Sequence, residues 1–255
     1  MIPRIIPCLL LKDNSLVKTF RFSDPKYIGD PINALKIFSE KEVDELIFLD
    51  ISTNSKRSGP DIKTISCLAS ECFMPIAYGG GIKTLEDAKK VINLGVEKVV
   101  LNSVAHINPD FVKVLSTNLG SQSIIVAMDV KKIDGCYKIL INNGKNPVAK
   151  SPTIFAQEME KMGVGELFLN SIDRDGTREG YDIKLIKELT SAVSVPVIAC
   201  GGAGKLSHFK EAIQNGASAA SAGSMFVFYG KFNSVLINYP DRNELESLFA
   251  GSNTL

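Results

Sequence analysis

Histidine is scarce in this chain of 255 residues: there are two, His106 and His208, far apart and in no metal-ligand spacing. No metal site is therefore expected. The five cysteines (Cys8, Cys67, Cys72, Cys136, Cys200) are an odd number in a long chain. Their spacing suits neither zinc nor a disulfide framework, which points to reduced thiols in a cytoplasmic protein. Charge asymmetry is missing too. With 29 basic and 28 acidic residues the net charge is +1, and nothing directs the chain to nucleic acid or a membrane surface. No long apolar run is present. The opening MIPRIIPCLLLKDN is too short to span a bilayer and has no small-residue cleavage site. No nucleotide-binding motif appears, so no cofactor is expected. No linker or low-complexity segment divides the chain.

What the chain does contain is a repeat. Residues 45–103 lie over residues 166–224 at a constant offset of 121, without a gap, with 19 identities in 59 positions. Glu45 matches Glu166, Asp61-Ile62-Lys63 matches Asp182-Ile183-Lys184, and Gly80-Gly81 matches Gly201-Gly202. A repeat of this length is a duplicated supersecondary assembly. Short β-branched runs at residues 5–10, 45–51, 75–78, 98–101, 123–129, 166–170, 196–200 and 218–222 give eight strand candidates. Between them run amphipathic helical stretches, two introduced by Asp30-Pro31 and Asn108-Pro109. Residues 226–255 read as a last helix and a polar tail.

An open doubly wound sheet would also alternate in this way. The duplication decides against it. The repeat covers strands two to four and six to eight, and IIPCLL at residues 5–10 lies over IIVAMD at residues 124–129. Two four-strand halves closing on each other make a (β/α)8 TIM barrel with a twofold half-barrel repeat. The expectation is one domain over residues 1–255, with half-barrels at about 1–120 and 121–255. Residues 12–30 show no clear hydrophobic period and read as a loop on the catalytic face, either a mobile lid or irregular surface.

The duplicated stretch carries chemistry. Its third and fourth strands end at Gly79-Gly80-Gly81 and Asn102-Ser103, and the seventh and eighth at Gly201-Gly202 and Gly223-Ser224. Glycine lets an anion approach main-chain N–H groups, and a following helix start favours negative charge. Asp175-Gly176-Thr177 adds donors to the second site. Two such sites imply a ligand with a phosphate at each end.

With these features in place, the sequence resembles the cyclase subunit of imidazole glycerol phosphate synthase. RIIPCL at residues 4–9, DELIFLDI at residues 44–51, GGGI at residues 79–82, SIDRDGT at residues 171–177 and GGAGK at residues 201–205 carry the likeness. It implies a glutaminase partner docked at the barrel bottom and an ammonia entrance ringed by Arg4, Glu45, Lys98 and Glu166. It also places a loop lysine at Lys18, and polar groups at the mouth at Asp50 and Asp175. The family's two catalytic aspartates fall on Asp129 and on Leu10, and the internal repeat gives the same register. Leucine transfers no proton. Asp129 is left beside apolar surface, which should raise its pKa. Asp13 is three residues along and cannot replace the missing carboxylate.

The stretch YIGDPINALKIFSEKEVDELIFLDI at residues 27–51 also resembles a branch of second, cyclase-like proteins associated with bacterial surface-polysaccharide loci. That likeness implies delivery of ammonia to a separate ligase that amidinates an acetamido sugar. Three readings follow: an ammonia-conducting subunit that does not cyclise, a true cyclase of histidine biosynthesis that tolerates Leu10, and a non-catalytic scaffold that binds a bisphosphate.

Overall fold

The computed structural model describes residues 2–52, 59–230 and 232–250. Part of the repeat, residues 53–58, and the end of the expected polar tail, residues 251–255, lie outside the described residues. Eight parallel strands form the core: β1 (Arg4–Lys12), β2 (Leu46–Asp50), β3 (Ile76–Gly79), β4 (Lys98–Leu101), β5 (Ile124–Ile133), β6 (Glu166–Ser171), β7 (Val197–Cys200) and β8 (Ala219–Ala222). Each pairs with its neighbours in chain order, and β8 pairs with β1, so the sheet closes. The fold is a (β/α)8 barrel. No described helix is long and apolar enough to cross a membrane.

Strand alternation sorts the side chains into two separate apolar bodies. Ile5, Leu9, Leu46, Phe48, Val99, Val126 and Leu167 face outward onto the helices. Ile6, Cys8, Ile47, Ala77, Val100, Ile125, Ala127, Phe168, Ile198, Cys200 and Ala219 fill the lumen. The helical shell consists of α1 (Pro31–Glu40), α2 (Ile62–Ser70), α3 (Leu85–Asn93), α4 (Asp110–Leu119), α5 (Pro152–Lys161), α6 (Ile183–Thr190), α7 (Leu206–Gln214) and α8 (Arg242–Phe249). The Asp30 carboxylate caps α1 by accepting from the Asn33 N–H at 2.9 Å, with Pro31 in the first turn. The matching device at Asn108 does not form. A short helix, Ser103–Ile107, runs up to Asn108, Pro109 takes the cap position, and the Asn108 carbonyl receives the Phe111 N–H.

Residues 12–30 are neither irregular surface nor a structureless loop. β1 runs on past the rim and pairs antiparallel with Ser15–Phe20, which pairs with Ser23–Gly29. The first turn has Asp13 and Asn14 both in the left-handed region (φ 48° and 65°), the geometry of a two-residue hairpin turn. β5 repeats this in the second half. It pairs with Cys136–Ile141 through Asp134-Gly135, at φ 50° and 79°. Asp-Gly between two hydrophobic runs is a strong hairpin signal and was legible in the sequence. Asp13 is tied up in its turn, exposed, away from the strand position where Leu10 stands.

Candidate functional site

The two ends of the barrel have opposite chemistry. At the N-terminal end, Arg4, Glu45, Lys98 and Glu166 form a closed ring of alternating charge. Arg4 donates to Glu45 at 2.5 Å and to Glu166 at 2.9 Å. Lys98 donates to Glu45 at 3.0 Å and to Glu166 at 3.3 Å. Three of these residues start a strand and Glu45 immediately precedes one, so the barrel's own geometry places them together. The Glu45 side chain is only 3% exposed. Directly above the ring lie the apolar lumen residues. Such a lining admits a small neutral molecule far more readily than an ion, because an ion would lose its hydration.

At the C-terminal end, two cavities open on opposite halves. The first, about 150 Å³, is lined by Asp50, Gly81, Asn102, Ser103 and Asp129, joined by Asn143 from the turn that follows the second hairpin. The second, about 450 Å³, is lined by Lys18, Gly176, Thr177 and Ser224, with Arg178 and Phe232. The glycines explain how backbone comes this close. A Cβ on Gly81 would lie 2.5 Å from the Gly59 carbonyl oxygen, and one on Gly202 would lie 2.2 Å from that of Gly180. Both have positive φ. Gly59 and Gly180 are themselves repeat mates. Gly202 packs against the Gly180 backbone, and Gly223 against the Lys18 side chain.

The first hairpin crosses the mouth and lands on the other half. Lys18 donates to Asp175 at 2.9 Å, Thr19 donates to the same carboxylate at 3.0 Å, and the Arg21 N–H donates to the Asp175 carbonyl. Burial opposes the charge on Lys18, but Asp175 overcomes it and holds the lysine above its ordinary value. Lys18 therefore faces a carboxylate rather than open solvent. Asp50 accepts from the Tyr78 hydroxyl at 3.3 Å and from the Ser52 N–H at 2.9 Å. Burial, and then Asp50, push the Tyr78 phenol well up.

Asp129 continues the inward face of β5 after Ile125 and Ala127. Asn102 donates to one of its oxygens at 2.9 Å and Asn170 to the other at 3.3 Å. Burial raises its pKa to about 7, the two amides pull against that rise, and Asp175 adds to it. Leu10 shares the face of Ile6 and Cys8 and is half-buried beside Leu49 of β2. The mouth thus has one carboxylic acid near neutrality and, opposite in the repeat, a side chain with no proton to give. Tyr78, Asn143 and Asn170 also belong to this end of the barrel, and no sequence motif marks Tyr78 or Asn143. Asn170 was findable, because Glu166, Phe168 and Asn170 alternate onto one strand face.

Among the described residues no group of three or more metal-ligating side chains forms. Residues 4–233 match the family described as "Histidine biosynthesis protein". The chain is similar to the protein named "Putative imidazole glycerol phosphate synthase subunit hisF2" of Pseudomonas aeruginosa, at 51% identity over 245 residues, covering 95% of this chain and 98% of the relative. A subunit HisF of the same naming from Leptospira borgpetersenii is 48% identical over 250 residues, covering 97% and 98%. The imidazole glycerol phosphate synthase subunit HisF of Hyphomonas neptunium is 41% identical over 226 residues, covering 88% and 90%.

Proposed function

This chain belongs to the histidine biosynthesis protein family, and from that premise we propose that it is a synthase subunit that conducts ammonia without closing a ring itself. Ammonia from a glutaminase docked over Arg4, Glu45, Lys98 and Glu166 enters the lumen and leaves beside Asp129. The observation that carries this reading is Leu10 facing the mouth where the cyclase pattern needs a second carboxylate. General acid–base steps contribute on the order of 10²–10⁴-fold each, and leucine supplies neither partner of one. The apolar lumen and the closed charged ring below it are what an ammonia path requires, and neither depends on Leu10.

The acceptor we assign is a separate ligase that amidinates an acetamido sugar in surface-polysaccharide synthesis, on the resemblance to the second cyclase-like branch. The two cavities at the mouth favour a second reading, a cyclase that binds a ligand phosphorylated at both ends and tolerates Leu10. A cyclisation assay driven by ammonium salt separates the two, because it bypasses the glutaminase. Family-like turnover by the unaltered chain would sink the non-cyclising reading. Gain of turnover in Leu10→Asp is the expected result and would mean that the rest of the site is in working order. The glutaminase partnership is tested by co-purification with each glutaminase of the source organism. Binding to none of them would overturn it.

A further inference from the structure

The duplication supplies an internal control for what has been added to the chain. In the first half the short helix Ser103–Ile107 is followed by Asn108 and Pro109, and then by α4. In the second half the matching helix, Ser224–Val227, is followed by residues 228–241 before α8 begins. The longer connection holds an antiparallel ribbon, Phe228–Tyr229 against Ser234–Val235. Two strands standing alone are marginal in water unless something packs on them. Yet residues 229, 230 and 232–236 are all exposed, Phe232 at 91%. The ribbon is tied back by hydrogen bonds: the Leu236 N–H donates to the Val227 carbonyl at 3.0 Å, and Arg178 donates to the Asn233 side chain.

This ribbon stands beside the first hairpin. Phe228 and Phe232 share the lining of the second cavity with Phe20 and Lys26. The return strand of that hairpin, Ser23–Gly29, is exposed from Ser23 to Tyr27, and among the described residues it pairs only with Ser15–Phe20. Eleven large hydrophobic side chains are exposed among the described residues, and six of them sit on these two ribbons: Phe20, Tyr27, Tyr229, Phe232, Val235 and Leu236. Single apolar residues on a surface mean little. A group of them around one cavity marks a surface that another molecule covers.

We propose that the two ribbons form the docking surface for the ligase that accepts ammonia, an inference that deepens the conduit reading above and rests on it. Position selects this occupant first. Gly223 sits between the Cys8 carbonyl in the barrel wall and the Lys18 side chain of the first hairpin, so the ribbons flank the upper end of the lumen. Ammonia released into open water at neutral pH takes up a proton and stops being a nucleophile. An acceptor seated on this rim keeps the transfer out of bulk water. Charge selects next. Lys18 is committed to Asp175, and the other charged residues lining the second cavity are Lys26, Arg178 and Asp24, an excess of one cation. A protein face with an apolar centre and a carboxylate over this cavity meets both needs. A second copy of this chain would instead set two cationic cavities against each other. An anionic bilayer would meet Asp13, Asp24 and Glu179, all exposed at this end.

The test is a calorimetric titration of the full chain with the purified acetamido-sugar ligase of the source organism. The unaltered chain is expected to bind, and Phe232→Asp and Tyr229→Asp should each weaken binding by about 30-fold. Phe73→Glu, at the opposite end of the barrel, should leave it unchanged. With the glutaminase the order reverses: Phe73→Glu weakens binding, whereas Phe232→Asp and Tyr229→Asp leave it intact, which also shows that these variants fold. In the coupled reaction Phe232→Asp should slow amidination driven by glutamine and leave amidination driven by ammonium salt unchanged. No binding of the ligase, or equal binding by all variants, overturns the proposal. So does a dimer of the chain alone that Phe232→Asp dissolves in sedimentation, or retention on phosphatidylglycerol vesicles that Phe232→Asp abolishes. Glutaminase binding without ligase binding sinks the docking surface alone, whereas family-like cyclisation by the unaltered chain removes the conduit reading itself.

Discussion

Replacing Glu45 by alanine probes the ring at its most buried member. Glu45 receives Arg4 at 2.5 Å and Lys98 at 3.0 and 3.1 Å, and its side chain is 3% exposed. Without it, two cations share the single carboxylate of Glu166. Breaking a buried pair on one side typically costs about 3–5 kcal/mol, because the partner charges stay behind uncompensated. Arg4 remains about a third exposed and can recover some hydration, which favours the lower end, about 3 kcal/mol. For a chain of this size that corresponds to a fall in Tm of about 6–12 °C. The control is Lys36→Ala, which breaks the surface pair with Glu71, where both side chains are about half exposed; its effect should be below about 1 kcal/mol. Urea and thermal unfolding of both variants give the comparison. If Glu45→Ala loses no more than Lys36→Ala, the ring is solvated rather than buried in its effect, and its description as a closed ring of buried ion pairs is wrong.

Asp129→Asn should change the pH dependence of stability. The folded chain keeps the Asp129 proton up to about pH 7, whereas the unfolded chain releases it near the ordinary value of 3.8. Stability therefore falls as pH rises from about 4 to about 7, by roughly 4 kcal/mol when complete. Asparagine cannot ionise, so the urea midpoint of the variant should gain on the parent across that window; a constant gap would refute the assignment. Phe73 is 90% exposed in the segment leading into β3, on the same end as the charged ring. Phe73→Glu should leave stability within about 0.5 kcal/mol but weaken glutaminase binding by about 2 kcal/mol, some 30-fold, in a titration of the two subunits. Gly81→Ala sets a Cβ 2.5 Å from the Gly59 carbonyl oxygen at φ +73°. It should destabilise the chain by about 1–3 kcal/mol and remove protection by inorganic phosphate in a thermal shift.

The barrel, its doubling and the anomaly at Leu10 are legible in residue order alone. Strand alternation and helix periodicity are properties of neighbouring positions, the offset of 121 compares two stretches of one text, and all three survive without coordinates. Hydrophobic period does not mark the hairpins, although Asp134-Gly135 announces one of them, because a turn that protrudes beyond the core has no buried face to set a period. The ring members came from resemblance, but their order, with each cation between two carboxylates, came only from closing the sheet, which brings Arg4 to Glu166. Lys18 on Asp175 and Asn170 on Asp129 likewise join residues 157 and 41 positions apart. No local pattern encodes those pairings. They exist because the barrel sets the strand ends side by side around one mouth, where burial leaves each polar group to be satisfied by whichever neighbour the closure delivers.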